Sequence, residues 1–173
     1  MARLFVAALP TGAVIDRLRA LPRPDEEGVR WVAETNWHVT LRFLGETDAD
    51  EAVALLGRLE APSCRATLGP AAERLGDRQI AVPVAGVDEL AAAVRTATSA
   101  IGPPPSRPFV GHLTIARTKP AASSSALGVE IRAEFDVTEV ALMASDLRST
   151  GATYTTLATF RLCHRFGRRR PNR

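Results

Sequence analysis

The sequence carries the same tetrapeptide pattern twice, His-Val-Thr-Leu at residues 38–41 and His-Leu-Thr-Ile at residues 112–115, which places the copies 74 positions apart. Both copies lie in apolar, β-branched runs that favour β-strands. Because side chains alternate between the two faces of a strand, the histidine and threonine of each copy share one face, and the apolar residues share the other. The chain has only 3 histidines. Two matched strands of this kind predict two half-sites that meet in the folded protein.

The composition is that of an ordinary globular protein, since 46% of the 173 residues are hydrophobic and 24% are charged. A chain of this length buries roughly 70% of its unfolded surface, which is enough to hold a rigid site without disulfides or metal. The net charge is +3, and Lys119 is the sole lysine. The planar fork of arginine suits phosphate oxygens, although a GC-rich genome would produce the same bias.

The apolar opening of the chain is interrupted by Pro10 and followed by Asp16 and Arg17, which indicates a first strand rather than a signal peptide. No apolar run approaches the ~20 residues of a transmembrane helix. Cys64 and Cys163 do not form a close-spaced metal pair, and nothing indicates a secreted disulfide framework. We therefore expect a soluble, cytoplasmic protein with no membrane contact.

Hydrophobic periodicity and turn signals divide the chain into alternating strands and helices. The predicted strands are 2–8, 29–32, the first motif strand closing at Gly45, 64–74, 78–84 after a Gly76-Asp77 turn, the second motif strand, 135–145 and 153–162. The predicted helices run from a Thr11 cap to Leu21, from Asp48 or Asp50 to Leu59 with Val53 facing inward, from Glu89 to Ile101, and briefly within 120–132. The proline-rich segment 102–108 is predicted to be loop.

A strand, a helix and two strands follow one another along the chain, and this unit occurs two times. Short links between neighbouring strands favour antiparallel pairing, and hence an α+β fold. We expect two pseudo-symmetric lobes of antiparallel sheet with outer helices around a central cleft. Residues 1–162 are expected to form a single bilobal domain, and residues 163–173 a basic C-terminal tail. That tail could touch a nucleic acid, although a solvated terminus is the commoner explanation.

Several familiar kinds of site are missing from the sequence. It has no His-Glu-x-x-His or Cys-x-x-Cys pair, so a metal would lack a third ligand unless His164 joined His38 and His112. It also has no glycine-rich phosphate loop and no Gly-x-Ser-x-Gly elbow. We therefore expect neither a metal nor any other cofactor.

Two imidazoles and two hydroxyls around a cleft suit substitution at phosphorus. Histidines that titrate near neutral pH can act as an acid/base couple, one activating water and the other protonating the departing oxygen. Thr40 and Thr114 would hold the non-bridging phosphate oxygens. The alternative is that His38 and His112 are structural residues, each satisfying a nearby backbone group. The residues alone do not decide which histidine is the acid.

The motifs and their flanks resemble the 2H phosphoesterase superfamily, and specifically its bacterial and archaeal RNA 2′,3′-cyclic phosphodiesterase branch, also called 2′-5′ RNA ligase-like. The resemblance rests on residues 3–7, 36–45 and 109–117 and covers about residues 3–161. One departure is that Val110-Gly111 precedes the second motif, where many members have a proline.

The resemblance implies metal-independent hydrolysis of RNA or nucleotide 2′,3′-cyclic phosphates to 2′-phosphomonoesters. By similarity His38 is the proton donor, His112 is the proton acceptor, and Thr40 and Thr114 bind the phosphate. The partners would be RNA ends or nucleotides with a cyclic phosphate, bound by a monomer. Alternatives are action of the same site on 2′-5′-linked oligonucleotides (including reverse 2′-5′ ligation) or on a small cyclic-phosphate metabolite, and a non-catalytic module that binds RNA ends.

Further candidates flank the motifs. Arg42 shares strand parity with His38 and Thr40, so it could face the cleft or, equally, the solvent. Simple alternation places Arg117 on the opposite face from His112 unless a β-bulge intervenes. Aromatic residues could stack on a base, although core packing is favoured for each one: Trp31, Trp37, Phe109 and Tyr154.

Overall fold

The computed structural model describes residues 2–120, 122–148 and 151–163. Within them the chain forms a 10-stranded sheet with helices packed against it, which confirms the α+β class. The helices are α1 (Ala13–Arg19), α2 (Ala49–Leu56) and α3 (Asp88–Ala97). The strands are β1 (Ala2–Ala8), β2 (Val29–Trp31), β3 (Val39–Thr47), β4 (Cys64–Leu68), β5 (Glu73–Leu75), β6 (Gln79–Ala85), β7 (His112–Thr118), β8 (Ala133–Val137), β9 (Glu139–Arg148) and β10 (Gly151–Arg161).

The main path of the sheet divides into two halves of four strands each. It runs β10-β9-β1-β3-β7-β6-β4-β8, with β2 paired to β7 and β5 paired to β6. All pairings between these strands are antiparallel. The first lobe of the sheet contains β10, β9, β1 and β3, and the second lobe contains β7, β6, β4 and β8. The two motif strands, β3 and β7, lie side by side at the centre. The sheet order therefore agrees with two lobes that meet where the two motifs lie.

The two halves also share one register. Phe5 on β1 pairs with Phe43 on β3, and Gln79 on β6 pairs with Arg117 on β7, each residue 74 positions after its counterpart. The same offset holds for the pairs that lie nearer the centre of the sheet. The lobes thus repeat one paired geometry even though their side chains differ.

The main hydrophobic core lies on one face of the sheet, which we call the core face. Its strand residues include Val39, Leu41, Leu113 and Ile115, all at most 5% exposed. Apolar residues of α1 and α3 cover them: Val14, Leu18, Leu90 and Val94. The opposite face, which we call the cleft face, carries His38, Thr40, His112 and Thr114. The alternation predicted within each tetrapeptide is therefore confirmed.

The helices differ from their predicted bounds. Gly12, with φ 53°, precedes α1, so Thr11 is not its cap. Of the two predicted starts, Asp48 and Asp50, it is Asp48 that caps α2, because its carboxylate accepts hydrogen bonds from the backbone N–H groups of residues 50 and 51. Val53 is 37% exposed, so the prediction that it faces inward was wrong. The last helix, α3, ends at Ala97 rather than Ile101.

Three strand boundaries were also wrong. Gly45 does not close β3, because it pairs with Leu4 at φ 68° and the strand continues to Thr47. The predicted strand 64–74 is divided into β4 and β5, and the predicted strand 135–145 into β8 and β9. The described part of 120–132 contains a turn and no helix. Residues 164–173 of the tail lie outside the described residues, and no described helix is long and apolar enough to cross a membrane.

Candidate active site

The two motifs meet at the centre of the sheet, where Val39 pairs with Leu113 across β3 and β7. Extending this antiparallel register by one residue in each direction places His38 beside Thr114, and Thr40 beside His112. The two histidines then occupy diagonal positions, which lie about 7–8 Å apart in such a ladder. The structure therefore brings both imidazoles and both hydroxyls together on the cleft face.

The two imidazoles are held in the same way. Nδ1–H of His38 donates to the carbonyl oxygen of Asn36 at 2.8 Å, and Nδ1–H of His112 donates to that of Val110 at 2.7 Å. Each acceptor lies two residues before its histidine. This bond leaves Nε2 of each neutral ring as an acceptor, and of each protonated ring as a donor. Both rings can therefore exchange a proton with a substrate at Nε2.

Aromatic rings surround His38. Its ring centroid lies 4.9 Å from that of Phe5 and 5.0 Å from that of Tyr154, the latter edge to face. Burial among these rings lowers the pKa of His38 below its usual 6.5, and the positive charges of His112 and Arg117 lower it further. The hydrogen bond to the Asn36 carbonyl opposes this shift but does not cancel it. The free protein therefore favours neutral His38.

The two hydroxyls lie in different surroundings. Thr114 Oγ1 donates a hydrogen bond of 3.0 Å to Oε1 of Gln79 on β6. Thr40 is half-buried on β3, beside His112. Because a hydroxyl proton rotates freely, either group can turn to donate to a phosphate oxygen. Gln79 belongs to no motif, and its hydrogen bond to Thr114 depends on the register of β6 against β7, which the sequence does not reveal.

A β-bulge follows the histidine-threonine pair in each motif. Leu41 in β3 has no paired residue on β1, and Ile115 in β7 has no paired residue on β6. An extra residue of this kind reverses the alternation of the strand beyond it. Phe43 and Arg117, which would otherwise face the core, therefore lie on the cleft face, where Phe43 is 67% exposed and Arg117 is exposed.

The same bulge turns Arg42 away from the cleft, so its cleft-facing and solvent-facing interpretations were both wrong. Arg42 is only 7% exposed. Its Nη1 donates to the carbonyl of Arg95 at 2.6 Å and to Thr98 Oγ1 at 2.9 Å, and its Nη2 donates to the carbonyl of Ile101 at 2.9 Å. Arg42 thus satisfies acceptors at the end of α3, where a cation is favoured.

Of the four aromatic candidates for stacking on a base, one lies beside the histidines. Tyr154 reaches the cleft face beside His38. Trp37 is buried in the main core, and the partly buried Phe109 packs against that core. Trp31 donates from Nε1 to the carbonyl of Pro24 at 3.0 Å.

Glycine is required directly before the second histidine. A Cβ on Gly111 would lie 2.2 Å from the carbonyl oxygen of Val84. The Gly111 carbonyl in turn accepts a hydrogen bond of 2.9 Å from the Val84 N–H. The close approach of these two backbones fixes β7 at the point where His112 enters the cleft face.

Comparison with known proteins places the chain in a family. The LigT-like phosphoesterase family model matches residues 10–67. The RNA 2′,3′-cyclic phosphodiesterase of Escherichia coli (strain K12) is 34% identical over 155 residues, covering 83% of this chain and 85% of that protein. Two crystal structures of E. coli LigT are also similar. The complex with 3′-AMP has a TM-score of 0.75 at 31% identity, covering 93% of this chain and 98% of that one. The complex with phosphate has a TM-score of 0.72 at 28% identity, covering 93% and 97%.

The chain belongs to the LigT-like phosphoesterase family. This confirms the resemblance to 2H phosphoesterases that the two motifs indicated.

The two half-sites of this phosphoesterase are not chemically equivalent. On the cleft face the rings of Phe5 and Tyr154 lie beside His38, and the exposed ring of Phe43 lies 6.0 Å from that of Phe5, which is itself buried. In the second lobe the residues at the 74-residue offset from Phe5 and Phe43 are Gln79 and Arg117. The first half-site therefore suits a flat or apolar group, and the second suits an anion.

The described residues offer no group of three histidine, cysteine or carboxylate side chains that could hold a metal ion. Cys64 is half-buried and Cys163 is exposed. The groups that this site presents to a substrate are two imidazoles, two hydroxyls, an amide and a guanidinium.

Proposed function

We propose that this phosphoesterase hydrolyses the 2′,3′-cyclic phosphate of RNA ends or nucleotides to a 2′-phosphomonoester, with no metal in the reaction. The observation that carries the proposal is the pairing of Val39 with Leu113, which puts two imidazoles with free Nε2 atoms on one face. A phosphate group between them would meet one ring on each side. The similarity to the E. coli RNA 2′,3′-cyclic phosphodiesterase supports the choice of substrate.

In this proposal one proton transfer occurs on each side of the phosphorus. Nε2 of His112 accepts a proton from water as the water oxygen bonds to phosphorus. The bond from phosphorus to the 3′-oxygen breaks, and Nε2 of protonated His38 gives its proton to that oxygen. The product carries a 2′-phosphate and a free 3′-hydroxyl, and solvent restores the two protonation states.

The asymmetry of the cleft supports this assignment of roles. The leaving 3′-oxygen is attached to the ribose and base, which the aromatic half-site around His38 suits. The attacking water must arrive from the opposite side, which is the polar half-site of His112. A lowered pKa makes protonated His38 a stronger acid, and the negative charge of the bound phosphate would help to keep it protonated.

Hydrogen-bond donors in the cleft would stabilise the charge that builds up on the phosphate. Thr40 and Thr114 would donate to the non-bridging oxygens, and Arg117 would add a fixed positive charge. We further propose that residues 1–162 form the catalytic domain and that the enzyme acts as a monomer on RNA ends in the cytoplasm.

The test is hydrolysis of adenosine 2′,3′-cyclic phosphate in excess EDTA, with products separated by chromatography. We expect adenosine 2′-monophosphate as the product. His38→Ala and His112→Ala should each lower kcat/KM by about 10²–10⁴. The matched control is Arg58→Gln, an exposed change just after α2, which should leave the rate unchanged.

A rate above one tenth of wild type in either folded histidine variant would refute the acid/base pair. Faster turnover of a 2′-5′-linked oligonucleotide or of a small cyclic-phosphate metabolite would instead reassign the substrate. Tight, salt-dependent RNA binding without hydrolysis would show that the protein is a binding module.

A further inference from the structure

The two motif threonines occupy matching positions in the two half-sites but have different neighbours. Thr114 pairs with Ala81 on β6, and Thr40 pairs with the corresponding alanine on β1. Two positions before that alanine, the second lobe has Gln79, whose amide oxygen lies 3.0 Å from Thr114 Oγ1. The first lobe has Phe5 at the same place, and its side chain has no hydrogen-bonding group. The hydrogen bond to Thr114 is therefore specific to the second half-site.

The register of β6 and β7 shows how Gln79 reaches Thr114. Because Ala81 is directly opposite Thr114, Gln79 occupies the diagonal position, which is within reach of a long side chain. The small side chain of Ala81 leaves this line of approach open. Gln79 is half-buried and pairs with Arg117. The hydroxyl, the amide and the guanidinium thus adjoin one another on the cleft face.

The hydroxyl of Thr114 has one proton, which it cannot give to two acceptors at once. In the free protein it donates this proton to Gln79 Oε1. A phosphate oxygen is also an acceptor, so the proton must turn away from Gln79 when a phosphate binds. Two acceptor oxygens, Oε1 of Gln79 and Oγ1 of Thr114, would then face each other without a proton between them. Gln79 must therefore change its hydrogen-bonding role.

An amide can make this change within the same space. When the Gln79 amide turns over about its last bond, Oε1 and Nε2 exchange places, and an N–H then donates to Thr114 Oγ1. The Thr114 proton is left directed at the phosphate. Because consecutive hydrogen bonds polarise one another, the donation from the amide also makes the hydroxyl a better donor. A carboxylate, which only accepts, could not take this role.

We propose that Gln79 is a positioning residue that directs the Thr114 proton to a non-bridging oxygen of the bound phosphate, an inference that rests on the proposed function. Its amide donates to Thr114 Oγ1 when the phosphate binds and accepts from it when the site is empty. Gln79 acts through Thr114 and does not itself contact the substrate. Since Phe5 occupies the matching place in the first lobe, this control applies to the second half-site alone.

The test compares glutamine, methionine and glutamate at position 79, which have similar sizes, with adenosine 2′,3′-cyclic phosphate as the substrate. Gln79→Met removes the donor, and kcat/KM should fall about fivefold. Gln79→Glu keeps an acceptor that holds the Thr114 proton, so kcat/KM should fall further, by about 30-fold. The same order should persist in an Arg117→Gln background, where the introduced carboxylate has no guanidinium opposite it. A residue that only packed or accepted would tolerate glutamate.

Double variants identify the group through which Gln79 acts. Thr114→Val removes the hydroxyl and keeps the shape of the side chain. In that background Gln79→Met should have no further effect, because the proton that it positions is gone. In a Thr40→Val background, Gln79→Met should keep its full effect of about fivefold, because Thr40 lies in the other half-site. Circular dichroism checks that each variant is folded, and Gln79→Glu serves if Gln79→Met does not fold.

The proposal is overturned if Gln79→Met or Gln79→Glu retains the wild-type kcat/KM, or if Gln79→Met has the same effect with and without the Thr114 hydroxyl. If wild type does not hydrolyse the substrate, the proposed function fails, and the role of Gln79 is tested by binding alone. Isothermal titration with adenosine 2′-monophosphate should then show weaker binding by Gln79→Met, and no such difference in the Thr114→Val background. Equal affinities of wild type and Gln79→Met would refute the positioning role.

Discussion

The two catalytic candidates have the same hydrogen bond and different surroundings. His38 and His112 each donate from Nδ1 to a carbonyl two residues earlier. The difference comes from residues outside the motifs, since Phe5 borders His38 and the residue at the offset from Phe5 in the second lobe is Gln79. A repeated motif thus supplies equal proton carriers, and their neighbours make them unequal.

The lowered pKa of His38 can be measured directly. In an NMR pH titration of the free protein, the pKa of His38 should lie below its usual value of 6.5, because burial among aromatic rings disfavours the charged imidazole. Removing a nearby positive charge by Arg117→Gln should raise this pKa, and Arg58→Gln should not move it. In the pH profile of kcat/KM, which reports the free enzyme, the limb that falls with rising pH should also lie below 6.5 if His38 is the acid.

A pKa of His38 at or above 6.5 would contradict this description of its environment. An unchanged value in Arg117→Gln would show that Arg117 does not act on the ring.

At the scale of elements, the bulges decide which side chains reach the cleft. The alternation of apolar and polar residues correctly predicted the faces of His38, Thr40, His112 and Thr114. It failed for Arg42, because the extra residue at Leu41 has no local signature in the sequence. Alternation placed Arg117 on the cleft face only if a β-bulge intervened. The register of β6 and β7 contains that bulge. Phe43 was missed for the same reason as Arg42.

Arg42 is expected to stabilise the fold without taking part in catalysis. Arg42→Met removes the donors to the carbonyl of Arg95, in the last turn of α3, and to that of Ile101, beyond the helix, and leaves those acceptors in a buried setting. We expect the free energy of unfolding in urea to fall by about 3 kcal/mol, while KM for adenosine 2′,3′-cyclic phosphate stays unchanged in the folded variant. The exposed control Arg58→Met should stay within about 0.5 kcal/mol.

A loss smaller than about 1 kcal/mol would mean that water replaces these hydrogen bonds. If Arg42→Met instead raised KM strongly while the free energy of unfolding stayed unchanged, Arg42 would be a substrate-binding residue of the cleft.

At the scale of the whole molecule, two sets of four strands meet at the pair of motif strands. The sequence predicted this arrangement from matched motifs in matched settings, and the common offset of 74 residues in both ladders shows how far the repeat extends. The chemical asymmetry was not predictable, because Phe5 and Gln79 correspond only through the register of β1 and β6.

The proposed reaction requires both imidazoles to contact one phosphate. The most direct measurement is NMR of protein with ¹⁵N-labelled histidine, titrated with adenosine 2′-monophosphate, the proposed product. The Nε2 signals of His38 and His112 should shift together along one binding curve at a ratio of 1:1, and the pKa of His38 should rise as the anion binds. If only one ring responds, or if the two rings give different affinities, the imidazoles do not share a phosphate and do not form the proposed acid/base pair.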